Sequence, residues 1–256
     1  MSNIIVPLNA FEQSDVQKLG QQAFIELIAD AGADGVEIRR ELLNFEKDPP
    51  LKELQQVIKK RKLIAVYSAP TYLWNEDQML NTDLLTQVFK EAADLNAKFL
   101  KVSLGRFNPS KSDFKKLNEV VLKYSPIQLL IENDQTLHGG RKDLLVRFFE
   151  SASQYNVPVR MTFDTGNWHY TDEDAEAAFI ELAPYVSYLH LKSVAERSGV
   201  LITEPISLEG KENWYFLRQL PSDIPIALEF PIQPKERTKV YVDFMKKSNK
   251  ESWSLA

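Results

Sequence analysis

Apolar residues along this chain fall into two alternating patterns. Short continuous runs, such as Ile4-Ile5-Val6-Pro7-Leu8, Leu63 to Ser68, Phe99 to Leu104 and Ile127 to Ile131, read as strands. Between them apolar positions recur every three or four residues. Val16, Leu19, Ala23, Phe24, Leu27, Ile28 and Ala31 predict a helix over Asp15–Ala31, with Ser14 placed to cap it and Gly32 to end it. The same reading predicts strands at Gly35–Arg39, Val157–Phe163, Val186–Leu191 and Ile224–Leu228. Helices are predicted at Leu51–Lys62, Thr82–Asn96, Asp113–Tyr124, Lys142–Tyr155, Glu173–Leu182, Asn213–Leu220 and Thr238–Lys247. A longer loop follows the seventh strand to Gly210, and the polar tail Ser248–Ala256, with Trp253, is expected to lie over the surface.

Eight strand–helix units follow one another without a linker, a low-complexity segment or a shift in composition. Strict alternation implies a parallel sheet, and eight units close a barrel, so the expected fold is one α/β domain, a (β/α)8 TIM barrel over residues 1–256. An open doubly wound sheet is the alternative; it usually has fewer units, and no glycine-rich dinucleotide fingerprint follows the first strand. Composition narrows function. A hydrophobic fraction of 44% with 26% charged residues describes a soluble globular protein. Net charge is −5 with scattered Lys and Arg, which disfavours nucleic acid as a partner. The absence of cysteine excludes disulfides and thiolate chemistry. No signal peptide or membrane-spanning run is apparent, so the expected location is the cytoplasm.

Chemistry in such barrels sits at the C-terminal ends of the strands. Those positions hold Glu37 and Arg39 after strand two, Glu132-Asn133-Asp134 after strand five, and Asp164, Asn167 and His169 after strand six. Strand seven ends in His190 and Lys192, and strand eight in Glu229. Three carboxylates and an imidazole from four consecutive strands, Glu132, Asp164, His190 and Glu229, suit one divalent metal ion: Mn²⁺, Mg²⁺, Co²⁺ or Zn²⁺. Each acid alone could pair with a nearby Lys or Arg. Together, without a cation, they would crowd three negative charges at a cost of several kcal/mol. Lys192 shares the face of His190 and reaches either a substrate oxygen or a rim salt bridge. Lys101, inside strand four, needs a partner. Trp74, Tyr72 and Trp168 are candidates to wall a pocket against a sugar's apolar face, and His138, beside Gly139-Gly140, reads as a surface histidine.

Five stretches in order, Val36-Glu37-Ile38, Leu130-Ile131-Glu132-Asn133, Phe163-Asp164-Thr165-Gly166-Asn167, His190-Leu191-Lys192 and Ala227-Leu228-Glu229, resemble the xylose-isomerase-like barrel superfamily. That superfamily holds ketose 3-epimerases and hydroxypyruvate isomerases, with apurinic-site endonucleases as relatives. The resemblance implies that Glu132, Asp164, His190 and Glu229 hold the metal and that Glu132 and Glu229 act as acid and base. The residues expected to touch substrate are Glu37, Asn167, His169, Lys192, Arg197 and Trp74. The sequence departs from the pattern at Asn167, where many members carry histidine, with His169 two places on as its stand-in. Arg197 is offset from the family's substrate-binding arginine.

The expected activity is a metal-dependent sugar isomerase or epimerase, passing through an enediolate on a small polyhydroxy carbonyl substrate. A dehydroshikimate-type dehydratase uses the same parts, and a non-catalytic sugar-binding barrel would keep only the fold. An apurinic-site endonuclease would need a histidine-richer trinuclear site and a basic face; three histidines and the negative charge argue against it. Expected partners are a small sugar-like molecule, neither nucleic acid nor membrane, with room for a homo-oligomer.

Overall fold

The computed structural model describes residues 2–44, 46–209 and 214–248. Eight parallel strands form a barrel: β1 (Ile4–Pro7), β2 (Gly35–Arg39), β3 (Ile64–Trp74), β4 (Phe99–Gly105), β5 (Gln128–Glu132), β6 (Val159–Asp164), β7 (Val186–Leu191) and, after a hairpin that takes the labels between, β10 (Ile226–Leu228). They close in the order β1-β10-β7-β6-β5-β4-β3-β2. Around them lie α1 (Gln13–Leu19), α2 (Gln21–Asp30), α3 (Leu51–Lys60), α4 (Thr82–Asp94), α5 (Phe114–Lys123), α6 (Lys142–Gln154), α7 (Ala175–Leu182) and α8 (Thr238–Lys247). The helices bury one stripe each on the outside of the barrel, as Leu54 and Ile58 do on α3 and Leu145, Phe148 and Phe149 on α6.

Four predicted elements change. The first helix breaks in two at Gly20, where the Asp48 carboxylate accepts from the N–H groups of Gln21 and Gln22 and so caps α2 from a loop 26 or more residues away. β3 runs six residues beyond Ser68, through an irregularity between Ser68 and Tyr72, because β4 keeps pairing with it as far as Gly105. The loop after β7 contains an antiparallel hairpin, β8 (Ser193–Arg197) and β9 (Val200–Glu204). Ser198 and Gly199 both take positive φ, 53° and 78°, the two-residue turn whose twist matches a hairpin. A 3-10 turn, Tyr215–Gln219, stands in place of the helix predicted before the last barrel strand. The predicted start of that helix at Asn213 and the Trp253 tail lie outside the described residues. No helix among the described residues is long and apolar enough to cross a membrane.

Candidate active site

The barrel interior is stacked in layers by the two-residue period of its strands. Ile5, Val66, Phe99, Leu130, Tyr188 and Ala227 form an apolar floor, with the Phe99 and Tyr188 rings stacked 5.8 Å apart. Two residues further along the same strands the character reverses. Phe99 gives way to Lys101, Leu130 to Glu132, Tyr188 to His190 and Ala227 to Glu229, and β2 adds Glu37 and Arg39. An apolar plug beneath a charged layer keeps water out from below, so the charges must satisfy one another or a ligand from above.

His190 is the centre of that layer and is fully buried. Its Nδ1 lies 3.1 Å from Glu132 Oε1, 3.1 Å from Glu229 Oε2 and 3.8 Å from Asp164 Oδ2. One donor atom from each of these four residues falls within 4.8 Å of the others. Ions held at about 2.0–2.4 Å place donors on opposite sides about 4–5 Å apart, so the set fits one divalent ion. Two of its atoms, Asp164 Oδ2 and His190 Nδ1, are buried without a hydrogen bond, although the Lys192 ammonium stands 2.9 Å from the former. Buried polar atoms left without a hydrogen bond and facing one point are what an ion could ligate.

The Asp164 carboxylate is aimed by its own turn. Oδ1 accepts from the N–H groups of Gly166 and Asn167, both at 2.8 Å, which leaves Oδ2 for the cluster. Buried Asn133 clamps the Asp164 backbone from β5, accepting from its N–H at 2.8 Å and donating to its carbonyl at 2.9 Å. A Cβ on Gly166 would stand 2.7 Å from Lys192 Cγ, so the turn needs glycine there for Lys192 to lie across it.

Counter-ions surround the donors. Lys101 Nζ is 2.8 Å from both Glu132 oxygens and 3.3 Å from Glu37; Lys192 Nζ is 3.0 Å from Glu229 Oε2. Arg39 Nη1 bridges Glu37 at 3.0 Å and Glu229 at 3.2 Å, and Asn9 donates to Glu229 at 3.0 Å. Burial pushes the Asp164 carboxyl up to about 7, with Lys192 pulling the other way. Burial also works against the Glu132 and Glu229 carboxylates, but Lys101 on the first and Lys192 on the second, helped by His190, hold both below the usual range. Burial and Lys101 press on the His190 imidazolium, yet Glu37, Glu229 and Glu132 outweigh them and keep it protonated well above its ordinary pKa.

Above this layer opens a cavity of about 410 Å³ lined by Arg39, Glu132, Asn167, Lys192 and Glu229, with Asn9, Asp134, Gln135, Thr203, Phe230 and Pro231. Of the residues expected to touch substrate, Asn167 and Lys192 are on its wall. Asn167 takes a hydrogen bond from Gln135 and donates to the Asn133 carbonyl. Four expectations change. Glu37 is fully buried below His190 and reaches no cavity surface. Trp74 is buried at the extended end of β3 against Phe107 and Phe114. His169 is exposed on a 3-10 turn, and Arg197 is spent on Glu204 across the hairpin at 2.8 and 3.0 Å. His138 is half-buried and contacts Arg106. Asn9 and Gln21 were missed as site residues, and Arg39, named at the end of strand two, was given no role. Gln21 is fully buried and holds the Arg39 backbone through both ends of its amide, at 2.7 and 3.1 Å. A glutamine at a helix start gives no sequence signal for this; the alternation of Glu37 and Arg39 on β2 did signal Arg39.

No curated protein matches the chain by sequence. Solved structures match its fold. A xylose isomerase domain-containing protein from Salmonella typhimurium superposes with a TM-score of 0.71 at 14% identity, over 94% of this chain and 95% of its own. The probable 3-DHS dehydratase AsbF of Bacillus anthracis follows at 0.66 and 13%, over 97% and 100%. A D-psicose 3-epimerase gives 0.62 and 12%, over 98% and 96%. At such identities the likeness is one of fold. The sequence model of xylose isomerase-like TIM barrels matches residues 25–238, and with the closed barrel and its strand-end cluster in place, the chain belongs to that family.

Proposed function

We propose that this barrel is a metal-dependent isomerase or epimerase that moves a proton beside the carbonyl of a small polyhydroxy substrate. The observation that carries the reading is the convergence of Glu132 and Glu229, from β5 and from the end of β10, on His190 Nδ1, each at 3.1 Å, while both line the cavity. Glu132, Asp164, His190 and Glu229 would hold a divalent ion, which when bound supplies Lewis-acid polarisation of the carbonyl. Glu132 and Glu229 are held ionised, so either is ready to accept a proton, and their separate strands bring them to the substrate from different sides. One abstracts the proton, and the other, after taking a proton from solvent through the cavity, delivers it to the opposite side of the same carbon, which inverts the centre; delivery of the abstracted proton by the first glutamate to the neighbouring carbon interconverts aldose and ketose. Lys192, on the cavity wall beside Glu229, places an ammonium where negative charge develops on oxygen. That ammonium also favours a second reading, a dehydratase, in which it protonates a departing hydroxyl after the same abstraction. The fold likenesses to an epimerase and to a probable dehydratase agree with either.

Turnover of a panel of sugars and polyhydroxy acids in D₂O with Mn²⁺, followed by NMR, tests the reading. Deuterium on the carbon beside the carbonyl is expected, with some internal return from a shielded pocket. Product that has lost a hydroxyl assigns the dehydratase. Isomerised product free of deuterium removes the enediolate and points to hydride transfer.

A further inference from the structure

We infer that Glu37 is a positioning residue, a buried carboxylate that fixes the tautomer and the ring plane of His190 so that Nδ1 is the atom presented to the ion. This rests on the metal-dependent reading above. An imidazole offers two nitrogens, and which one is free to coordinate is set by the partner of the other. Here Glu37 Oε2 stands 3.0 Å from His190 Nε2, on the side of the ring away from the three ligand carboxylates. With the proton on Nε2 donated to Glu37, the Nδ1 lone pair faces Glu132, Asp164 and Glu229.

The surroundings of Glu37 suit that task. It is fully buried and lies off the cavity wall, so it does not touch substrate. Two cations flank its other oxygen, Lys101 at 3.3 Å and Arg39 at 3.0 Å, which leaves Oε2 to the imidazole. Tyr188 completes the support from the apolar floor. Its hydroxyl donates to the same Oε2 at 2.9 Å, and its ring meets the His190 ring edge to face, with centroids 4.8 Å apart at 85°. The ring therefore has a hydrogen-bond anchor on one edge and a packed surface on its face. An ionised anchor also makes Nδ1 a better donor than a neutral one would.

Cobalt binding, followed by visible absorption and by competition with zinc, tests the role without reference to turnover. Glu37→Gln keeps the shape and an acceptor oxygen but removes the charge. We expect it to weaken Co²⁺ binding by about 10–100-fold and to shift the cobalt bands. Tyr188→Phe leaves the carboxylate in place, and the expected loss is smaller, within about fivefold. Co²⁺ binding and bands in Glu37→Gln that match the wild type overturn the inference and leave the metal reading standing. A wild-type protein that binds no Co²⁺ or Zn²⁺ overturns both. Should Glu37→Gln fail to fold, the wild type still decides. It has three histidines, so ¹⁵N NMR of the histidine-labelled zinc form resolves each tautomer. His190 protonated at Nε2 with Nδ1 on the metal is expected; the opposite assignment refutes the role.

Discussion

The two halves of the barrel mouth do different work. β5, β6, β7 and the end of β10 supply the four donor atoms that converge within 4.8 Å. β2 and β4 supply no donor; they place Glu37, Arg39 and Lys101 against the outer sides of those residues. The donor half by itself is three carboxylates around an imidazole, a set that repels itself in a dry interior. Lys101 and Arg39 from the opposite half bring positive charge that helps Glu132 and Glu229 stay ionised before any ion arrives. Lys192 is the exception on the donor side, bound to Asp164 and Glu229 and also on the cavity wall. Convergence and charge compensation thus fall largely on different strands, and two cations, Lys192 and Arg39, both pair with Glu229 and stand on the cavity wall.

The largest expected effect breaks the compensating half. Lys101→Met leaves Glu132 without the ammonium that meets both its oxygens, and takes a partner from Glu37. Removing one member of a buried ionic set costs about 3–5 kcal/mol, which thermal or denaturant unfolding of the metal-free protein would record. Added Mn²⁺ or Zn²⁺ should stabilise this variant more than the wild type, because the ion replaces the missing charge. Equal metal-free stability in the two proteins would leave β2 and β4 without the role assigned to them.

The next effect breaks the donor half while sparing the fold. Glu132→Gln and Glu229→Gln should each lower turnover by about 100-fold or more, since each removes a proton carrier. Weaker metal binding would imitate this loss, so the bound ion is to be quantified in the same samples. Near-normal turnover in either variant, with metal in place, excludes that glutamate from proton transfer.

A smaller effect sharpens the comparison through pH. In the metal-free site His190 is held protonated by the surrounding acids, and burial raises Asp164 to about 7. An ion that takes His190 Nδ1 and Asp164 Oδ2 must displace those protons. Metal affinity should therefore fall as pH drops through about 7, by up to about tenfold per pH unit for each proton released. Calorimetry in two buffers of unlike ionisation enthalpy measures the protons directly. Zero release near neutral pH would mean that the ion leaves His190 unligated.

The comparison also separates what could be read from the chain. The donor half was legible because its signal is local: a run of apolar residues ends in an acid or a histidine, and barrel topology sends all such ends to one face. Glu132, Asp164, His190 and Glu229 needed only the strand boundaries, which were right to within two residues or so. The last barrel strand and helix, Ile226–Leu228 and Thr238–Lys247, were anticipated on the same grounds.

The compensating half depends on partners far away in sequence. Glu37 carries the same local signature as Glu132, yet it lies 153 positions from the imidazole that it anchors. Nothing local tells a ligand-facing glutamate from one turned beneath a histidine. Trp74 looked like a loop aromatic because the continuation of β3 is imposed by pairing with β4 rather than by its own apolar pattern. Arg197 looked free because the Ser198-Gly199 turn, which brings Glu204 to it, lay inside an expected loop. The sequence by itself therefore determined the barrel and the four strand-end residues that meet in its mouth, through periodicity and strand-end chemistry. Only the tertiary structure decided which charges face a ligand and which hold the ligand-facing ones in place, because that depends on distances between strands that the chain does not encode locally.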